Sequence, residues 1–374
     1  MAGQIVQRGK KTYLVRVFLG RDSDGKRRYH NKTIHGNKKE AQAYLNKVLR
    51  EKDIGDFVEP STVSTEEFLR RWLETAVQPR VRQKTYDSYR WLVEKYILPA
   101  LGMRKLSAIT PLEVQKFYNA LQEEKGLSPR TIRLTHSVLR NALDQAIKWR
   151  ILQHNPCEHA DLPRKSSEEM RCLSPAEARQ FMEAAQGTRY GVLFETLLVT
   201  GMRPSEALGL KWGDIDWDRQ RLHVQRALEN SSDGWNLQEP KTRRARRTIP
   251  FPSSLATALR QQRKEQAEGQ LQAGQDWQEH GLVFTDSNGN PVNYRNLTRR
   301  YFKPLLMEAD LPNIRLYDLR HTAATLLLSA GENPKVVSER LGHASVSLTL
   351  DTYSHVLPDM QERAASRLQQ MLYE

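Results

Sequence analysis

The chain is poor in cysteine, in long apolar runs and in the signatures of metal or nucleotide chemistry. Two cysteines in 374 residues, Cys157 and Cys172, build neither a disulfide framework nor a zinc site. They are expected as free thiols in a reducing cytoplasm. The most continuous apolar stretch, Val192 to Met202, is interrupted by Glu195 and falls well short of the ~20 residues a membrane span needs. Met1–Lys10 has no apolar region, so no secretory leader and no membrane partner are expected. There is no Walker A loop, no Rossmann glycine triplet, no His-Glu-x-x-His and no cysteine pair at zinc spacing. No cofactor and no metal are expected. Acidic residues are also in deficit, with 44 Asp and Glu against 58 Lys and Arg, a net charge of +14.

That charge is unevenly placed. Residues 1–60 carry 14 Lys and Arg against 7 Asp and Glu, and residues 61–165 carry 18 against 11. Residues 166–374 carry 26 of each. All of the excess therefore lies in the first 165 residues, where it points to a polyanion partner, most often nucleic acid. Hydrophobic content of 39% with 13 Tyr and 7 Trp is enough for real cores, and the length suits two or three of them.

Three segments follow from the local pattern. In the first, Thr12–Leu19 and Arg27–Ile34 read as strands joined by an Asp22–Lys26 turn. A helix with Asn37 as N-cap is expected over Lys38–Lys52. Arg16, Lys26, Arg27, Arg28 and Lys32 lie on this ribbon or its turn, which suits entry into a DNA major groove or, equally, a solvated basic face. Glu59–Thr62 marks a linker. Residues 64–157 then read as a bundle of four or five helices, with starts at Thr110-Pro111 and Ser128-Pro129. A second linker, Cys157–Ser167, leads to a mainly helical third segment. There Ser174-Pro175 opens a helix, and strand-like pieces occur at Arg221–Leu228 and Arg246–Phe251. Asp233-Gly234-Trp235 to Ile249-Pro250 reads as a β-hairpin with a basic run at its tip.

The chemistry-bearing residues sit in the third segment. Thr200-Gly201-Met202-Arg203-Pro204-Ser205-Glu206 places Arg203 in a bend before a helix start, with Glu206 one turn on. Taken alone, that pair reads as a structural ion pair. Pro240-Lys241-Thr242 precedes Arg243-Arg244-Ala245-Arg246-Arg247, five basic residues in seven, suited to backbone phosphates. Then come Tyr317-Asp318-Leu319-Arg320-His321-Thr322, Leu341-Gly342-His343 and Thr352-Tyr353-Ser354-His355. Each is weak by itself.

In this order and spacing they resemble the tyrosine recombinase (phage integrase) family. The motifs span about residues 200 to 355, with 33 residues from Arg320 to Tyr353 and His343 ten before the tyrosine. Domain-level likeness reaches back to residue 64. The N-terminal module is similar to the three-stranded, AP2-like arm-binding domain of integrases from conjugative transposons and related phages. The implied fold is multidomain: a small α+β arm-binding module over 1–58, an all-α core-binding bundle over 62–160, and a mainly α catalytic domain with a small antiparallel sheet over 168–374.

The resemblance implies tyrosine attack on a phosphodiester, giving a 3′-phosphotyrosine and a free 5′-hydroxyl without metal or ATP. The covalent link conserves the bond, so religation needs no cofactor. Side chains must then neutralise the transition state. Arg203 and Arg320 match the family arginines, which offer planar, permanently charged donors. Lys241 matches the lysine that protonates the leaving oxygen, and His343 the histidine on the phosphate or nucleophile. Glu206 matches the supporting acid and Tyr353 the nucleophile. Tyr317 departs from the pattern, standing where the family has histidine; it donates one hydrogen bond and carries no positive charge. His321, which the family often shares, is expected to be structural, because it points about 100° from Arg320 on a helix. Arg243 and Arg244 are expected on DNA. The implied partners are double-stranded DNA at core and arm sites, a homotetramer on DNA, and an accessory DNA-bending protein or excisionase. The implied location is the cytoplasm, at the nucleoid. A type IB topoisomerase would share the chemistry, and a DNA-binding regulator would share only the basic N-terminal half.

Overall fold

In the computed structural model, residues 3–55, 57–59, 62–164, 171–231, 234–239, 246–353 and 360–373 are described. They fall into two units, Met1–Ser167 and Glu168–Glu374.

The first unit opens with an antiparallel sheet ordered β1 (Gly3–Gly9), β2 (Thr12–Arg21), β3 (Arg27–His35), followed by α1 (Lys38–Asp53). The β2–β3 turn is fixed by Asp22, whose carboxylate accepts from the Asp24 and Lys26 amides, and by Gly25 at φ +77°. Asn37 caps α1 in a reciprocal box with Glu40. Val15 and Val17 of β2 bury against Ala41, Leu45 and Val48 of α1. Strand β1 was expected only through the family likeness, since its segment, GQIVQRG, lacks sustained apolar alternation.

The helical part of this unit contains α2 (Thr65–Trp72), α3 (Gln83–Leu92), α4 (Leu98–Leu101), α5 (Pro111–Glu123) and α6 (Pro129–Lys148). Single π-helical turns, Leu73–Val77 and Val93–Ile97, continue α2 and join α3 to α4. Thr110 with Glu113 and Ser128 with Thr131 form the expected caps at Pro-initiated starts. The aromatic residues at helical spacing are core: Phe68, Trp72, Tyr96, Phe117 and Tyr118 are buried together.

The second unit is built around α7 (Pro175–Ala185), α8 (Gly191–Thr200) and α9 (Pro204–Leu208). A sheet ordered β4 (Ile215–Asp216), β5 (Arg221–Val224), β8 (Arg247–Pro250) follows, with a separate hairpin of β6 (Ala227–Ser231) and β7 (Gly234–Gln238). The hairpin expected between Asp233 and Pro250 is therefore corrected. Strand β6 pairs with β7, with Ser231 opposite Gly234, while β8 pairs with β5 through Leu222 and Ile249. A turn signal is local, but the partner of the next strand is set by burial of Leu222 and Ile249 in the shared core. The remaining helices are α10 (Ser253–Ala273), α11 (Tyr294–Leu297), α12 (Lys303–Glu308), α13 (Asp318–Ser329), α14 (Pro334–Leu341), α15 (Val346–Tyr353) and α16 (Met360–Tyr373). Among the described residues no helix is long and apolar enough to cross a membrane.

Candidate active site

Two backbone reversals carry the site. Helix α8 ends at Gly201, in the left-handed region at φ +67°, and α14 ends at Gly342, at φ +69°. A Cβ at Gly201 would lie 2.7 Å from Leu341 Cδ2, so the position demands glycine on both conformation and space. This close approach sets two peptide carbonyls at one guanidinium. Arg320 of α13 donates from Nη1 to the Gly201 carbonyl and from Nη2 to the Leu341 carbonyl, each at 2.7 Å. Its residue is 1% exposed, and its buried Nε has no hydrogen-bond partner among the described residues. Burial, then the charge of Arg203, lower its pKa to about 10, so it stays a cation at neutral pH.

Arg203 occupies the bend as the N-cap of α9. Glu206 receives its backbone N–H at 2.9 Å and its Nη1 at 2.7 Å. Arg247, at the start of β8, grips the same carboxylate from the other side, Nη2 to Oε2 at 2.8 Å and Nη1 to Oε1 at 3.2 Å. Its Nε donates to the Arg340 carbonyl at 2.6 Å. Burial pushes the Glu206 carboxyl up, but Arg247 and Arg203 outweigh it and hold it below the usual range. Burial likewise opposes the Arg203 charge, and Glu206 and Tyr317 more than offset it. Tyr317, just before α13, lies near enough to Arg203 to favour its charge. Tyr317→Phe is expected to lower strand cleavage several-fold, about the worth of one hydrogen bond near 1 kcal/mol, and Tyr317→His to be tolerated. Cleavage rates of the two variants check this; a loss as deep as that of Arg320→Ala would give Tyr317 a larger role.

His343 follows Gly342, and its Nδ1 lies 2.7 Å from Thr349 Oγ1. Tyr353, at the end of α15, is 0% exposed and packs on Ala324, Leu328, Val337 and Leu341. Its hydroxyl lies 2.7 Å from Nδ1 of His321. His321, expected as a structural residue, is placed against the Tyr353 hydroxyl: position 321 is one turn beyond 317 on the same helix face. Burial is the largest cause of each shift here. It raises the Tyr353 phenol well above its usual range, and lowers His321 and His343 to about 4. The arginines add to the lowering of both histidines. All three groups are thus neutral at pH 7. Arg247 is a residue that sequence reasoning misplaced, as part of an exposed basic run.

Lys241, Arg243 and Arg244 lie outside the described residues. In the N-terminal sheet, the five basic candidates divide by face. Lys32 pairs with Val15, and with Arg28 and His30 it projects to the α1 side. Arg28 pairs there with Glu59, N to O 2.7 Å. Arg16 and Arg27 lie on the open face, where the Arg16 guanidinium sits 3.8 Å from the Tyr29 ring centre. Lys26 is in the turn.

Among the described residues, no cluster of His, Cys, Asp and Glu could hold a metal ion. The sequence profile of the phage integrase family matches residues 171–360. The chain belongs to the phage integrase family. A second profile, the N-terminal SAM-like domain of phage integrases, matches residues 65–122. As a member the chain is a tyrosine site-specific recombinase. A XerC-like tyrosine recombinase of Caldanaerobacter subterraneus subsp. tengcongensis is 33% identical, covering 97% of each chain. Among solved structures, the recombinase shares the fold of the Tn1549 transposon integrase in complex with transposon right end DNA. The TM-score is 0.70 at 23% identity, over 83% of this chain and 100% of that one. A lambda integrase tetramer bound to a Holliday junction has a TM-score of 0.57 at 18% identity, over 93% and 95%.

Proposed function

We propose that this recombinase integrates and excises a mobile genetic element, cutting and rejoining duplex DNA through a phosphotyrosine at Tyr353. The observation that carries the reading is the buried Arg320, fixed by two carbonyls and left with one unpartnered N–H near Arg203. Such a pre-set cation pair suits a phosphodiester whose charge grows in the transition state. In this reading Arg203 and Arg320 bind the phosphate, Glu206 fixes Arg203, and His343 hydrogen-bonds a phosphate oxygen. Tyr317 orients Arg203, and Lys241 protonates the leaving 5′-oxygen.

Residues 1–58 act as the arm-binding module, 62–160 as the core-binding domain and 168–374 as the catalytic domain. Arg16, Lys26 and Arg27 are the favoured arm-DNA contacts, with Arg28 and Lys32 behind the sheet and Arg243 and Arg244 on core DNA. The Tn1549 integrase bound to transposon DNA and the lambda integrase tetramer on a Holliday junction support DNA and a homotetramer as partners. An accessory bending protein or excisionase, and action at the nucleoid in the cytoplasm, complete the reading.

A nicked suicide duplex carrying the core site tests it. A covalent protein–DNA adduct is expected, and a second duplex should then yield exchanged strands; relaxation without exchange would favour a topoisomerase. On α16, Leu368, Met371 and Leu372 stand exposed, an apolar stripe suited to a neighbouring protomer. Deleting residues 358–374 is expected to leave single-site binding intact and abolish exchange. Unchanged recombination by the truncated protein would reject docking between protomers.

A further inference from the structure

We propose that His321 is the proton acceptor for the Tyr353 hydroxyl, taking a role that the tyrosine at position 317 cannot fill. The proposal rests on Tyr353 being the nucleophile. The side chain at 317 carries no basic nitrogen. One turn on, the His321 ring lies 5.2 Å from the Tyr317 ring and 5.8 Å from that of Tyr353. Its Nδ1 stands 2.7 Å from the Tyr353 hydroxyl, within the reach a general base requires. The other histidine of the site is engaged elsewhere, since His343 Nδ1 meets Thr349. Ala324, Leu328, Val337 and Leu341, which share the buried cluster with Tyr353, are apolar and accept no proton.

In the forward step Tyr353 Oη bonds to phosphorus while its proton passes to His321 Nδ1. The bond from phosphorus to the 5′-oxygen breaks, and that oxygen takes a proton from Lys241. In religation the 5′-hydroxyl attacks phosphorus and gives its proton back to Lys241, the bond from phosphorus to Tyr353 Oη breaks, and His321 returns its proton to the departing phenolate. No proton or electron is left over.

Burial is the first reason the imidazole is neutral at rest, and the charges around it come second. Asp318 on the same helix favours its protonation, while Arg320 and Arg315 disfavour it. The rings of Tyr317 and Tyr353 flank it, Cys172 lies near Tyr353 as a thiol, and His343 is neutral. A phosphodiester held by Arg203 and Arg320 brings negative charge that offsets those arginines. The pKa of His321 then climbs toward the working range as the proton moves.

The test follows single-turnover adduct formation by the full-length protein on a nicked duplex of the attachment-site junction, from pH 5.5 to 9. His321→Asn fills the pocket without a basic nitrogen. It is expected to bind DNA normally and cut about 100-fold more slowly at pH 7. Its rate should keep rising with pH where the wild type levels off. His321→Ala should be slow as well and partly restored by added imidazole. A His321→Asn rate within threefold of wild type would overturn the proposal. So would a slow variant with the wild-type pH profile and no imidazole rescue, which marks a structural role. Tyr353→Phe is run alongside. An adduct in that variant overturns the nucleophile assignment itself, which is a different result from a normal Tyr353→Phe loss beside a fast His321→Asn.

Discussion

Tyr353→Phe is expected to bind core-site DNA as the wild type does and to form no covalent adduct, a loss of at least 10⁴-fold. The substitution removes one oxygen from a ring that otherwise keeps its packing on Leu328, Val337 and Leu341. The lost hydrogen bond to His321 is worth about 1 kcal/mol, too little to unfold the unit. Other tyrosines offer no ready substitute. Tyr317 packs edge-on against His321 with ring centres 5.2 Å apart, Tyr301 packs edge-on against Tyr190 with ring centres 4.7 Å apart, and Tyr373 is exposed on the last helix. Denaturing gels of the suicide-substrate reaction read the result directly. An adduct that survives would move the nucleophile to another residue, with Tyr317 the first to examine.

Arg247→Ala is expected to destabilise the second unit by about 3 kcal/mol. Arg247 and Glu206 side chains are 6% and 3% exposed, so the substitution strips a buried carboxylate of its bidentate partner. Arg203 remains on Glu206, which keeps the loss at the lower end for a broken buried pair. For a unit of this size the thermal midpoint should fall by roughly 6–12 °C. Arg247→Lys keeps the charge but not the fork, and should fall in between. A midpoint within a degree of wild type, read by calorimetry, would mean that Arg203 alone satisfies Glu206. Cleavage should fall too, because an unbalanced Glu206 pulls harder on the Arg203 guanidinium proposed to bind the phosphate.

Local signals were the legible part of the fold. Caps at Asn37, Thr110, Ser128 and Ser174 mark helix starts because the capping side chain and its amide lie within three residues of each other. The spacing of Gly201, Arg203, Arg320, His343 and Tyr353 was legible as a family resemblance, and these residues do converge. What was not legible depends on distant contacts. Arg247 sits in a run of basic residues that looks like a solvated loop, yet its partner is 41 positions earlier in the chain. The strand it begins pairs with β5, while β7 pairs with β6. His321 was judged by its angle to Arg320, when its relation to position 317, one turn back, is what carries it to Tyr353. The division of Arg16 and Lys32 between opposite faces needed the register of β2 against β3.

The burial of Tyr353 also governs when the protein is dangerous. The hydroxyl proposed to open a DNA strand is shut among leucines and a neutral imidazole, so a protomer drifting along a chromosome carries no exposed blade. Accidental nicking then requires a phosphate to reach a residue that is 0% exposed, and each 1.4 kcal/mol that such access costs makes these events tenfold rarer. Fidelity is thus held partly in the burial of one side chain, before any base of the target site has been read.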